Sequence, residues 1–183
     1  MTNLELFNIL RPIIIQVTGI PECIKSNPNE PAPSGSYAAI QVQQSITQRG
    51  QAIIYRANNG TQNLDVDPRA QLIAECAINF YRGDAHNFAQ RVAQANKIPS
   101  VQAALFAANV GWQKVGPINN LNFLQSNNWE NRAQISVFLM YEEPALETIN
   151  SIEQADISVE AFNTDETAFE TLITEEIKTP DAP

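Results

Sequence analysis

The chain has 183 residues, of which 44% are hydrophobic and 17% charged, enough for one domain with a core or for one domain and a tail. Its net charge of −9 is uneven, because residues 1–141 carry ten basic and eight acidic side chains and residues 142–183 carry one basic and twelve acidic. The body at +2 and the C-terminal fifth at −11 both lack the basic patch that nucleic-acid binding needs.

A helix is predicted at the start of the chain. Residues 2–5, Thr-Asn-Leu-Glu, fit a capping box. Pro12 predicts a kink, and Gly19 with Pro21 predicts the end of the helix. Residues 26–36 contain three prolines and predict an extended linker. The apolar positions of the helix recur at helical spacing as Leu6, Leu10, Ile13 and Val17.

Alternation of apolar and polar residues predicts three main strands, at residues 37–46, 69–81 and 131–141. Residues 47–66 predict a protruding hairpin with a turn at Asn59-Gly60. The predicted core-facing residues are Ala38, Ile40, Val42 and Ile46 in the first strand, Ala70, Leu72, Ala74, Cys76, Ile78 and Phe80 in the second, and Ala133, Ile135, Val137, Leu139 and Tyr141 in the third.

Two helices are predicted between the second and third main strands. Asp84 is the expected N-cap of the first helix, and the other is expected to start at Ser100, after Pro99. A short strand is predicted at residues 111–118. The fold class is therefore α+β, with one mainly antiparallel sheet and the helices packed on one of its faces.

The sequence predicts no catalytic, cofactor-binding or metal-binding residue. It has no Walker loop, no G-x-G-x-x-G and no G-x-S-x-G. Cys23, Cys76 and the single histidine, His86, cannot build an ordinary zinc site. We expect Cys76 to fill the core and His86 to be exposed. No signal sequence or membrane span is apparent, which predicts a soluble protein used inside a cell with reduced thiols.

The predicted organisation is an α+β domain at residues 1–144 and an acidic C-terminal extension at residues 145–183. The extension contains a candidate edge strand with Ile157, Val159 and Ala161, followed by a mobile tail. Two roles fit its charge. A flexible outer tail that aids solubility or docks on a neighbouring subunit is the favoured one, and a negative lining of a DNA passage is the alternative.

Four segments in order resemble the phage neck or tail-terminator proteins of long-tailed phages. In that family a helix ending in V-T-G-x-P precedes a proline-rich run and a tyrosine that opens the sheet, and a W-E-x-R-A strand closes the domain. The resemblance covers residues 4–141. The segments are Val17-Thr18-Gly19-Ile20-Pro21, Pro31-Ala32-Pro33, Tyr37 and Trp129-Glu130-Asn131-Arg132-Ala133.

The resemblance implies a structural virion protein without enzymatic activity or cofactor. It would form a homo-oligomeric ring, as a hexamer, that caps the tail tube in the neck and joins the tail to the head. The implied partners are the tail tube protein, with sheath and head–tail connector proteins as further candidates. DNA would pass only as cargo, and no membrane is involved. Assembly would take place in the host cytoplasm.

Several alternatives stay open at the level of the sequence. One is a head-completion or connector protein of the same neck, and another is a small-molecule-binding or enzymatic α+β domain. Trp129 can anchor a strand in the core or lie at an interface. Glu130 and Arg132 can pair with each other or reach to a neighbouring subunit.

Overall fold

The structure, a computed structural model, describes residues 1–26, 29, 31–58, 63–125 and 128–150. Its helices are α1 (Asn3–Thr18), α2 (Ala85–Ala93) and α3 (Pro99–Ala107), with a 3-10 turn at Ala95–Lys97 between the last two. Its strands are β1 (Glu22–Lys25), β2 (Tyr37–Gln48), β3 (Ile53–Asn58), β4 (Asn63–Tyr81), β5 (Gly111–Val115), β6 (Asn119–Asn120), β7 (Phe123–Gln125), β8 (Asn128–Glu130), β9 (Arg132–Pro144) and β10 (Glu147–Asn150).

Both ends of α1 are fixed by local hydrogen bonds, as predicted. The Glu5 backbone amide donates to the Thr2 hydroxyl at 3.2 Å, and the Thr2 amide donates to the Glu5 carboxylate at 2.7 Å, which completes the capping box. At the other end Gly19 has a φ of 73°, and its amide donates to the Ile15 carbonyl at 2.8 Å. Pro12 lies inside the helix, and the kink stays a prediction.

Two compact units make up the chain. The first comprises Met1–Ile53 and Arg69–Pro144, and the second comprises Ile54–Pro68 and Ala145–Pro183. In the first unit the strand order is β1-β2-β4-β9-β5, with β6 also paired to β9. All of these pairings are antiparallel except β1 with β2, which confirms the α+β class with a mainly antiparallel sheet.

The core lies between the three helices and one face of the sheet, as expected. Ala133, Ile135, Val137, Leu139 and Tyr141 of β9 are all buried, and so are Ala74, Cys76, Ile78 and Phe80 of β4. From α1 the side chains of Leu6, Leu10 and Ile14 pack into the same cluster. Each fully buried aliphatic side chain stabilises the fold by roughly 1.5–3 kcal/mol.

Several predicted boundaries and faces need correction. β4 begins at Asn63 instead of residue 69, and α3 begins at Pro99, where proline is tolerated because the first helical N–H needs no partner. Asp84 is the N-cap of α2, but its carboxylate accepts a bond from the Asn87 side chain instead of capping an amide. Ile46 is 46% exposed, because β2 departs from regular register just before it.

β3 and β10 also pair with β4, and β10 pairs with the part of β4 that lies in the second unit. β10 runs antiparallel to it, from Glu147 opposite Val66 to Asn150 opposite Asn63. The predicted turn at Asn59-Gly60 lies outside the described residues, as do the candidate edge strand and the tail of the acidic extension. The protruding hairpin and the division at residue 144 stay predictions.

We expect Leu139→Asp to abolish cooperative folding. Leu139 is 0% exposed on β9, which is paired with strands on both sides. A carboxylate there would be buried without a partner, at a cost comparable with the whole stability of a domain, about 5–15 kcal/mol. Circular dichroism during thermal unfolding measures this. Gln134→Glu, a charge at a half-buried position on the opposite sheet face, is the control and should melt cooperatively. A cooperative transition in the Leu139 variant would contradict the assignment of the buried face.

Candidate functional site

The first unit carries a small hairpin beside the main sheet. Strands β7 and β8 pair with each other as a separate two-stranded sheet, with Phe123 opposite Glu130 and Leu124 opposite Trp129. The chain enters the hairpin from β6 and leaves it into β9, so the hairpin extends from the start of β9. The sequence analysis did not predict it, because strands of three residues give no readable alternation.

This hairpin exposes a group of large apolar side chains. Trp129 is 72% exposed, so its interpretation as a core anchor is wrong and the interface interpretation gains support. Exposed apolar patches on soluble proteins commonly mark interaction sites. Leu124 and Trp129 are a cross-strand pair. We call the four exposed apolar side chains of this region the hairpin knob: Leu121 at 46%, Phe123 at 55%, Leu124 at 50% and Trp129 at 72% exposure.

An ionic cluster holds the base of the hairpin. The Glu130 side chain is only 9% exposed and accepts hydrogen bonds from Arg82 Nε at 3.1 Å and Arg132 Nε at 2.7 Å. Glu130 and Arg132 therefore pair within the chain, which decides between the two options that the sequence left open. The Arg82 guanidinium also donates to the carbonyl of Pro33, in the proline-rich segment.

Stacked rings extend the same cluster across the sheet. Tyr37 on β2, Tyr81 on β4 and Arg132 on β9 are register partners, so they form one row on the face opposite the core. The Tyr37 and Tyr81 rings stack at 4.6 Å between centroids. The Arg132 guanidinium lies 5.2 Å from the Tyr81 ring and 5.4 Å from the Phe123 ring, which connects the sheet to the hairpin.

Burial in the cluster changes the pKa of Tyr37. It raises the pKa of Tyr37, and the neighbouring Tyr81 raises it further. The Tyr37 phenol, which belongs to one of the two stacked rings, therefore stays neutral. Arg82 has a φ of 63°, which is uncommon for a residue with a side chain, and its backbone amide donates to the Asn131 carbonyl at 2.8 Å. The cluster is thus tied by backbone as well as side-chain bonds.

The cysteines, the histidine and the Val-Thr-Gly turn considered in the sequence analysis have the following positions in the fold. Cys76 is 0% exposed in the core, and Cys23 is buried, which raises the pKa of its thiol to about 12. His86 is exposed on α2, as expected, and its ring contacts Gln90. The buried Thr18 hydroxyl donates to the Ile14 carbonyl at 2.6 Å, so the Val-Thr-Gly turn closes α1.

An open cleft of about 1100 Å³ lies in the same unit, where β4 and β9 meet the N-terminal part of α1. We call it the end cleft, and its lining includes Ile9, Arg49, Arg69, Leu72, Met140 and Tyr141. Its charges are largely paired, since Arg69 lies 3.9 Å from Glu142 and the N-terminal amine contacts Glu143. Hydrogen bonds from Thr2 lower the pKa of Glu5, another lining residue, which is the opposite of what a general acid needs.

Over the described ranges, no group of three or more histidine, cysteine or acidic residues is placed to hold a metal ion. None of the helices in that part of the chain is both long and apolar enough to span a membrane. The ionic cluster brings together segments that are far apart in the sequence. They are the proline-rich segment, which takes part through Pro33, the Tyr37 that follows it, and the pair of Glu130 and Arg132.

These are three of the four segments that carry the resemblance to neck terminators. A family model described as phage neck terminator protein matches residues 4–165. The chain belongs to the phage neck terminator family. It is thus a structural protein of the virion neck. No curated protein matches the chain. The match continues past residue 141, where the resemblance read from the sequence ended, so the family includes part of the acidic segment.

We expect Glu130→Gln to lower the free energy of unfolding by about 2 kcal/mol. The change leaves two guanidinium groups beside a neutral amide, a loss between the values for exposed and buried ion pairs. Denaturant titration measures it. Glu142→Gln is the matched control, because the Arg69–Glu142 pair is about half exposed on both sides and should contribute less than about 1 kcal/mol. Equal effects of the two substitutions would show that the cluster is not a special anchor.

Proposed function

We propose that this neck protein forms a ring of six copies that caps the tail tube and presents the surface to which the head is joined. The observation that carries the proposal is the hairpin knob of a neck-terminator chain, with Trp129 72% exposed. A large aromatic side chain held out of the core by a buried ionic pair is suited to an intersubunit contact. Cyclic symmetry matched to the tube would let one ring close its end.

The family match supports the terminator role over that of a head-completion or connector protein. It also supports a structural role over an enzymatic one. The end cleft is open, its Arg69 and the N-terminal amine are paired with carboxylates, and the pKa of its Glu5 is lowered, whereas a general acid needs a raised pKa. We propose that the protein acts without catalysis or a cofactor, and that the tube protein is its main partner.

Capping predicts an effect on tube length. When purified tube protein of the same phage polymerises with this chain present, tubes should be shorter, and fresh tube protein should not extend them. Electron microscopy measures the lengths and the symmetry of the ends, for which six-fold averages are expected. The Leu139→Asp variant is the control without the fold. Capped tubes that continue to grow would contradict the proposal, and binding to tail-free heads alone would favour the connector role.

For the part of the acidic extension that follows β10 we propose an outer tail that is not needed for folding. Every buried apolar residue in the described ranges lies at or before Tyr141, and residues 142–150, the last that the structure describes, are all exposed. The charge of residues 142–183 keeps such a segment in solvent. A lining of the DNA passage is the alternative role.

Deletion of residues 163–183 should therefore change the melting temperature by no more than about 2 °C, because a solvated tail contributes little to stability. Scanning calorimetry measures the transition, and the tube assay measures capping by the same variant. The intact chain is the reference. A large loss of stability would show that residues 163–183 pack as a structural arm, and a loss of DNA passage with normal capping would support the lining role.

A further inference from the structure

The hairpin knob and the end cleft lie at opposite ends of one strand pair. β4 and β9 are paired without interruption from Tyr81 opposite Arg132, beside the knob, to Arg69 opposite Pro144, in the cleft. Twelve residues separate Tyr81 from Arg69, which corresponds to about 40 Å of strand at ~3.3 Å per residue. The knob of one molecule therefore cannot reach its own cleft.

We propose that the hairpin knob of one copy seats in the end cleft of the next copy around the ring. Such a head-to-tail contact uses two different surfaces of each molecule, and it closes when the rotation between neighbours divides a full turn. A contact between two knobs would instead stop at a dimer. This inference rests on the proposed ring and names the surfaces that form it.

The chemistry of the two surfaces matches. Residues 119–129 contain no ionisable side chain, so the knob brings no charge that would be buried unpaired. Two of the cleft's cations are paired with carboxylates, Arg69 with Glu142 and the N-terminal amine with Glu143. Its lining also includes the apolar side chains of Ile9, Leu72 and Met140.

Arg49 gives the cleft a group that suits an aromatic ring. It is exposed, and its guanidinium lies 3.3 Å from the Met140 sulfur within the cleft. A planar guanidinium stacks well on the face of a tryptophan, and methionine sulfur also packs favourably against aromatic rings. Trp129 is the most exposed ring of the knob and is the side chain we assign to this place. The knob then acts as the anchor of a larger interface, since stable contacts bury about 800 Å² per partner.

Two single-cysteine variants test the direction of the contact. Asn128→Cys places a thiol on the hairpin beside Trp129, and Asn8→Cys places one in the end cleft, both at exposed positions. The native Cys23 and Cys76 are buried and stay unreactive. A short bis-maleimide is added to each variant and to their mixture, in solution and on tail tubes. Cross-linked dimers are expected in the mixture and not in either variant alone.

Other outcomes overturn the inference. Cross-linking of Asn128→Cys with itself would show a knob-to-knob contact. An absence of cross-links in the mixture, on tubes whose ends show six-fold rings, would place the ring contact elsewhere. Because tube growth is measured on the same samples, these results separate failure of the contact from failure of capping itself.

A second pair of variants measures the strength of the anchor. Trp129→Ser should weaken self-association by at least about 30-fold, as expected for a central aromatic residue of an interface. Leu146→Ser is the matched control, because Leu146 is 71% exposed and belongs to the second unit. Sedimentation velocity over a concentration series, with and without tubes, gives the association constants. Equal association of Trp129→Ser and the unmodified chain would overturn the assignment, and so would a loss confined to the Leu146 variant.

Discussion

The register of β4 against β9 is the constraint on which the first unit depends. Side chains alternate between the two faces of a strand, so the pairing of Ile78 with Ile135 and of Ala74 with Leu139 sends one apolar row toward the helices. The same register sets Tyr81 opposite Arg132 on the other face. A slip by one residue would move the apolar row to the open face and bring the arginine into the core. Burial therefore fixes the core and the cluster together.

The ionic cluster, which the register brings together, attaches the β7–β8 hairpin to the sheet. The Glu130 side chain, which is only 9% exposed, pairs with both Arg82 and Arg132. Arg132 also contacts the Tyr81 ring of the sheet and the Phe123 ring of the hairpin. A two-stranded hairpin has little stability by itself, so the cluster supplies the attachment that its own strands lack. The apolar side chains beyond it stay outside the core, where they are available to a neighbour.

A protein of the virion neck needs surfaces more than it needs reactive groups. The buried thiols, the exposed histidine and the Arg69–Glu142 pair of the end cleft are consistent with a structural role. The hairpin knob and the end cleft provide two unlike surfaces on one rigid strand pair, which is the geometry that head-to-tail assembly requires. The family match extends to residue 165, so the acidic segment begins within the part of the chain that the family shares.

The sequence by itself determined the α+β class, the capping box of α1 and the buried faces of β4 and β9, because these depend on local bonds and on short periodic patterns. Only the tertiary structure decided that Trp129 lies outside the core. That residue precedes an apolar strand, and its burial depends on whether distant Arg82 and Tyr81 fix the hairpin away from the sheet. Strands as short as β1 and β7 likewise exist through pairing partners that a local pattern does not contain.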